Sequence, residues 1–401
     1  MTPRGTGPAH WYSASLAIAL VAIAFSNAAL YLFQSGVVDQ PPFWWLAALG
    51  GLAAPMAIQY TRSLRVPVAP MLGWLVFYVV LTVSWFAMFP ATPEADFELR
   101  RRLQSIGYIC LVWLIVQQPG ALSVVRWAIL AATTFAGAVN LFEFFHPGAF
   151  SLTTGRAAGL YMNPNSSGAA LLFGMLVSIP LLAVRWRAVF VFAIGLGILA
   201  TFSRAALAGW TAMAASLMLD ELRTSGIARL FTKLFAIGAI VGIVVIGVLH
   251  NLNPEQGAAL GDVVADRLGT FMSEDARDDL STSERRELTG RAMESIGQHP
   301  WSGAGLGTNR FLDRETGSHN QYLDLMVQHG LAGVLVLPLL AVALIYGSRG
   351  QARADAIRFA FLLLFLGFFS HNMLDERYLL TAVVVQAAIS RASYSSPDSG
   401  Q

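Results

Sequence analysis

The chain has 401 residues, 55% of them hydrophobic and 12% charged, with a mean hydropathy of +0.57. Soluble domains are nearer a quarter charged, so this composition excludes one. The net charge of +2 is segregated by loop and gives no argument for a nucleic-acid partner, and the lone Cys110 excludes an intrachain disulfide and a thiolate metal site.

The apolar residues come in blocks of about 15–25, the length a helix needs to cross a roughly 30 Å hydrocarbon core. That predicts an all-α polytopic integral membrane protein, one transmembrane domain over residues 1–401. Spans are expected near 11–33, 43–60, 68–89, 105–118, 121–145, 164–184, 188–203, 205–219, 234–250, 321–347, 357–374 and 378–390. Several are short or share tight turns, so about twelve spans are expected, with eleven as the alternative. The first segment lacks a small-residue cleavage site and leads straight into more spans, which reads as a retained helix. No repeat of period 20–50 is visible, nor the similarity of halves that marks inverted-repeat transporters.

Orientation follows from where arginine collects in short loops. Arg62 with Arg65, Arg185 with Arg187, Arg223 with Arg229 and Lys233, and Arg349 with Arg353 and Arg358 fall on one side, as do Arg4 and Arg391 in the termini. That side is expected to be cytoplasmic. Residues 251–320 then form one large loop on the opposite face, and loops of that length are usually functional or disordered. Ser281 with Glu284 resembles a capping box. An amphipathic run follows to Gln298, stopped before Pro300, with Glu287 and Arg291 spaced to pair across one helical turn.

Several arginines stand on the face where topology does not require them. Arg100–Arg102 lie beside Glu94, Asp96 and Glu98, and interfacial pairing is the expectation there. Arg156 and the loop arginines Arg267, Arg277, Arg285, Arg286, Arg291, Arg310 and Arg314 read as solvated charges or ion pairs when taken singly. Arg204 differs, because it stands between two apolar runs (GLGILATFSRAALAGW). An ionisable residue bordering a span is a functional candidate; snorkelling to the headgroups is the plainer reading. Guanidinium groups bind phosphate oxygens bidentately and stay charged at any relevant pH, so several arginines at one membrane face suit a lipid-linked phosphate or pyrophosphate.

His319 stands just before the apolar run at 321 resumes. An ordinary pKa near 6.5 suits an imidazole to general base work; a hydrogen-bonded histidine capping a span is the alternative. No HExxH, paired histidines or DxD motif is present, so neither a metal site nor any cofactor is expected. The glycines of Gly303–Gly307 read as a turn, since a nucleotide fingerprint needs a preceding strand. Asn163-Pro164-Asn165 reads equally as a cavity lining or as a helix-start turn. His371, Asn372 and Asp375 form a second polar cluster that suits acceptor binding or simple helix-end polarity.

His319-Asn320, nine residues, Gly330, two residues and Gly333 resemble the pattern of bacterial O-antigen ligases. HPWSGAGLG, the upstream Ser283-x-Arg285, SRAALAGW around Arg204 and YMNPNSSGAALLF resemble the wider O-antigen ligase and polymerase superfamily. The likeness runs from about residue 155 to 345, and residues 1–150 match only as generic spans. It implies an inner-membrane enzyme with its active site on the periplasmic side, both termini cytoplasmic and membrane lipids around it. The implied donor is a glycan on undecaprenyl pyrophosphate, and the acceptor is lipid A-core for a ligase or a second glycan for a polymerase. Carried over residue by residue, Arg204 and Arg285 hold the pyrophosphate and His319 activates the acceptor hydroxyl. Arg267, Arg286 and Arg291 are the other candidates for the second arginine. The family often has a tryptophan four residues after that arginine, where this chain has Thr289. Asn320, Asn163 and Asn165 complete the substrate-binding candidates. Protein-directed oligosaccharyltransferases usually carry a large extra outer domain, and a transporter would place charges near the bilayer midplane, so both are lesser alternatives.

Overall fold

The computed structural model describes residues 8–63, 69–151, 156–225, 280–308, 320–370 and 372–395. Among them every regular element is a helix. In chain order these are α1 (Pro8–Leu20), continued by a π-helical turn (Val21–Phe25), α2 (Ala28–Gln34), α3 (Pro42–Ser63), α4 (Ala69–Met88), α5 (Pro93–Val116), α6 (Ala121–Phe145), α7 (Pro164–Ser178), α8 (Val184–Ala200) and α9 (Arg204–Ser225). After the next stretch come α10 (Leu280–Gln298), α11 (Gln321–His329), α12 (Leu331–Val334), α13 (Val336–Ile345), α14 (Gly350–Leu366) and α15 (Arg377–Ser395). Helix therefore occupies every predicted span except 234–250, which lies outside the described residues with most of the 251–320 loop.

Three of these helical stretches are long and apolar enough to cross a membrane: Pro70–Met88, Ala121–Phe145 and Pro164–Leu181. The stretch predicted at 11–33 is instead a pair bent by 47°, which makes a fourth if counted as one span. Pro42–Ile58 and Leu331–Ile345 are apolar but shorter. The segment predicted at 321–347 is broken, because Gly330 takes a positive φ and ends α11 before the chain turns into α12. Conversely, α5 begins well before the expected 105. Thr92 caps it by accepting from the Ala95 N–H at 3.1 Å, Pro93 occupies the first turn, and Glu94 and Asp96 complement the positive end of the helix dipole.

The chain forms two compact units. The first comprises residues 1–132, 176–178 and 284–401. In it α5 packs against α3, α4 and α15, α13 against α4 and α14, and α14 against α15. Leu337, Leu340 and Leu344 of α13, Phe359, Leu362 and Leu363 of α14, and Val383 and Val384 of α15 are buried there. Polar ties join the same helices: Trp74 Nε1 donates to the Val336 carbonyl at 2.9 Å, and Tyr108 Oη lies 2.6 Å from Thr381 Oγ1. The second unit comprises residues 133–175 and 179–283. Its helices approach closely through small residues. A side chain at Gly197 would meet the Gly137 backbone, and one at Gly168 would meet Ala206, Ser203 and Thr201. The last contact sets the starts of α7 and α9 side by side. Buried Asn140 ties the unit together by donating to Ser167 Oγ at 2.9 Å and to the Gly197 carbonyl at 3.3 Å.

Candidate active site

In the second unit, Arg204 is the first residue of α9, and its side chain is exposed. A tight turn sets its position. Phe202 adopts a left-handed φ of 50°, Thr201 Oγ1 accepts from the Ser203 N–H at 3.2 Å, and Ser203 Oγ caps the helix at the Ala206 N–H. Asn163 caps α7 by accepting from the Asn165 and Ser166 N–H groups, with Pro164 in the first turn. Asn165 accepts from Arg156 Nη2 at 3.1 Å, and Arg156 Nε donates to the Thr201 carbonyl at 3.0 Å. The fold thus gathers Arg204, Asn163 and Asn165 at one end of this unit and adds Arg156 to them. The Asn163 side-chain oxygen does the work of the helix-start turn.

In the first unit, Arg285 lies within α10, and Arg286 and Arg291 on the same helix are exposed. The opposite face buries Ala292 and Ile296 against Val327, with Leu323 and Met326 of α11 packed around them. The expected Glu287–Arg291 pair is present at 2.5 Å. The helix starts at Leu280, so Ser281 falls inside its first turn rather than ahead of it. Asn320 caps α11, accepting from the Tyr322 N–H at 3.0 Å and the Leu323 N–H at 3.3 Å. His319, Arg267 and His371 lie outside the described residues. Of the second polar cluster, Asp375 is engaged by Arg101 at 3.2 Å and by Ser105 Oγ at 3.3 Å, while Asn372 donates to Glu376.

The two glycine patterns form one knot. The Ala304 N–H donates to the Val327 carbonyl at 2.8 Å, Gly305 to Gln328, and Leu331 to the Pro300 carbonyl at 2.9 Å. Gly303 and Gly330 meet at its centre, both at positive φ. A Cβ on Gly303 would stand 2.5 Å from the Gln328 backbone, and one on Gly330 would stand 2.4 Å from the Trp301 carbonyl oxygen. Only glycine permits that approach.

Beneath the knot lies a buried charged cluster. Arg102, 2% exposed, donates Nε to Glu98 at 3.1 Å and Nη2 to Gln328 Oε1 at 2.7 Å, and its Nη1 contacts His329 Nε2. Guanidinium only donates, so His329 Nε2 accepts and the imidazole is the neutral tautomer protonated on Nδ1. Gln328 also accepts from the Gly307 N–H and donates to Asp324. Arg101 bridges Glu98 at 2.8 Å and Asp375 at 3.2 Å. The expected interfacial pairing holds for exposed Arg100 with Asp96. For Arg102 it gives way to an interior position, since α5 starts early and carries this side chain under α11. Sequence reasoning passed over Gln328 and His329; the signal was a polar pair inside an apolar run.

These observations meet a comparison with known families. Residues 188–338 match the family model described as O-antigen ligase. No curated protein matches the chain. The matched stretch runs from the first turns of α8 into α13 and contains Arg204, all of α10, the glycine knot and α11. Asn163, Asn165, Arg156 and the Glu98–Arg102 pair lie outside the matched stretch.

Proposed function

We propose that the protein is a periplasmic-facing glycosyltransferase that moves a glycan from undecaprenyl pyrophosphate to a lipid A-core acceptor. The observation that carries this reading is the O-antigen ligase match over 188–338, which takes in both Arg204 and the His319-Asn320 pattern. In the proposed reaction the acceptor hydroxyl attacks the anomeric carbon and His319 takes its proton. The bond to the pyrophosphate oxygen breaks, and Arg204 and Arg285 hold the negative charge that develops on the leaving group. Direct displacement inverts the anomeric centre. Arginine does not serve as the base, because it does not deprotonate in proteins. Exposure of Arg286 and Arg291 supports keeping them, with Arg267, as alternatives for the second arginine. The proposed topology has about twelve spans, both termini cytoplasmic and the 251–320 loop outside.

A lipopolysaccharide gel of a host strain lacking the gene, read with the carrier-linked glycan pool, tests the reading. The expected result is core lipid without O-chain and full-length chains stranded on the carrier. Core lipid bearing a single repeat unit would replace the ligase reading with a polymerase. An unchanged gel would remove lipopolysaccharide as the acceptor. In detergent, purified protein should transfer glycan from donor to acceptor, which pure transport does not do. His319→Ala should lower that rate by about 10²–10⁴-fold, the usual range for a general base. Near-normal transfer by this variant would take His319 out of the reaction.

A further inference from the structure

Glu143, at the end of α6, is 2% exposed and carries four backbone N–H groups on its carboxylate. Phe150 and Ser151 donate to Oε1 at 3.3 and 2.5 Å, and Ala158 and Gly159 donate to Oε2 at 2.8 and 2.7 Å. A carboxylate is acceptor-only and offers about four lone-pair sites, so no other side chain of this size could hold both backbone segments. Immediately before Ala158 and Gly159 the chain reaches across to the α8–α9 turn. The Ala157 N–H donates to the Ala200 carbonyl at 3.1 Å, and Arg156 Nε donates to the Thr201 carbonyl at 3.0 Å. Arg156 Nη2 reaches Asn165 on α7. Thr201 then relays the constraint, since its Oγ1 donates to the Ile198 carbonyl and accepts from the Ser203 N–H, the residue before Arg204. The turn contains Phe202 at a left-handed φ of 50°, a conformation that a non-glycine residue keeps only when its surroundings impose it.

We propose that Glu143 and Arg156 are positioning residues for Arg204: the carboxylate ties the backbone of Phe150 and Ser151 to that of Ala158 and Gly159 so that Arg156 clamps the turn that presents the Arg204 guanidinium. This rests on the proposed role of Arg204 at the donor pyrophosphate. Neither residue touches substrate in this scheme. Their effect is on where the Arg204 charge stands when the leaving group departs. A displacement of about 1 Å at such a group is enough for a loss of about 10²-fold.

The test uses full-length protein in detergent, as wild type, Glu143→Gln, Arg156→Ala and Arg156→Lys, with two readouts. Hydrogen exchange at the backbone amides of 156–162 and 198–207 needs no substrate. In Glu143→Gln the amide group turns N–H donors toward backbone N–H groups, and both stretches should exchange about tenfold faster, as local openings do when they lose their hydrogen bonds. Glycan transfer from an undecaprenyl-pyrophosphate-linked donor should show kcat lowered by about 10²-fold in Glu143→Gln and Arg156→Ala, with KM moved only a few-fold. Arg156→Lys, which keeps one donor for the Thr201 carbonyl, should recover part of kcat. Unchanged exchange at 198–207 overturns the Glu143 tie. Faster exchange with wild-type kcat, or a loss of kcat that Arg156→Lys does not relieve at all, overturns the coupling to Arg204. A wild-type protein that transfers no glycan defeats the functional reading instead, and the tie then stands or falls on exchange alone.

Discussion

Arg204→Ala is expected to lower kcat for glycan transfer by about 10²–10³-fold, the range for losing one donor that faces developing charge, while melting behaviour and membrane insertion stay as in wild type. Stability should survive because the side chain is exposed and does not hold its own turn. That turn is set by Phe202, Thr201, Ser203 and the Arg156 clamp. Among the described residues the Arg204 guanidinium forms no ion pair that its loss would break. Arg204→Lys tests whether charge alone suffices. An ammonium lacks the planar fork that matches two phosphate oxygens, so it should regain only part of the rate. A purified Arg204→Ala protein with kcat within twofold of wild type would remove this residue from the leaving-group site.

The second large effect is on stability. Arg102→Ala is expected to cost about 3–5 kcal/mol, because removing one partner of a buried pair strands the other. Here it takes one of two guanidinium partners from the buried Glu98 carboxylate, which keeps Arg101, and leaves the Gln328 oxygen and the His329 lone pair without the guanidinium that meets them. The double change Arg102→Met with Glu98→Gln removes both charges and should be milder than Arg102→Ala, which thermal melting in detergent would read. Burial alone would push the Glu98 carboxyl up, but Arg102 and Arg101 outweigh it and hold the group down at about 2, below the ordinary 4.5. The folded state therefore binds that proton less readily than the unfolded chain does. Its contribution to stability is fully present above about pH 4.5 and is lost as pH falls toward about 2. The melting temperature of wild type should fall more steeply across that interval than that of Glu98→Gln. Equal slopes would show that the cluster is not a pH-dependent element.

Much of the helical layout was legible, because apolar runs and their caps are local. The limits of α6 coincide with the expected 121–145, and Asn163 and Asn320 sit at helix starts where short polar side chains can accept from the first N–H groups. The early start of α5 was less legible. Its first turns are charged, so hydropathy stops at 105, whereas the Thr92-Pro93 start and the Glu94 and Asp96 pair extend the helix back over Arg100–Arg102. The bend after α1 and the break at Gly330 also escaped a reading by apolar length, which registers runs of hydrophobic residues and not how the backbone turns within them.

Of the candidate site, Arg204 was marked by its place between two apolar runs, and the arginines of α10 by their excess on one face. The likeness to O-antigen ligases came from motifs spaced along the chain and is matched by the family model over 188–338. Arg156 read as an ordinary charge, because its partners are a carbonyl at 201 and an amide at 165 that no local pattern links to it. Glu143 had no visible role for a similar reason: its acceptors are filled by backbone groups, which leave no signature in side-chain chemistry.

By itself the sequence determined a helical membrane protein, the order of its helices, their caps, and the candidate arginines and histidine, since hydropathy, capping and charge are properties of short stretches. Only the tertiary structure decided which of those charges are buried and what each one holds. Arg102 became an interior residue under α11, the glycines at 303 and 330 became one contact, and a carboxylate at 143 came to hold the backbone N–H groups of Phe150, Ser151, Ala158 and Gly159. Those outcomes depend on contacts between residues far apart in the chain, where packing and the need to satisfy buried polar groups select the partners.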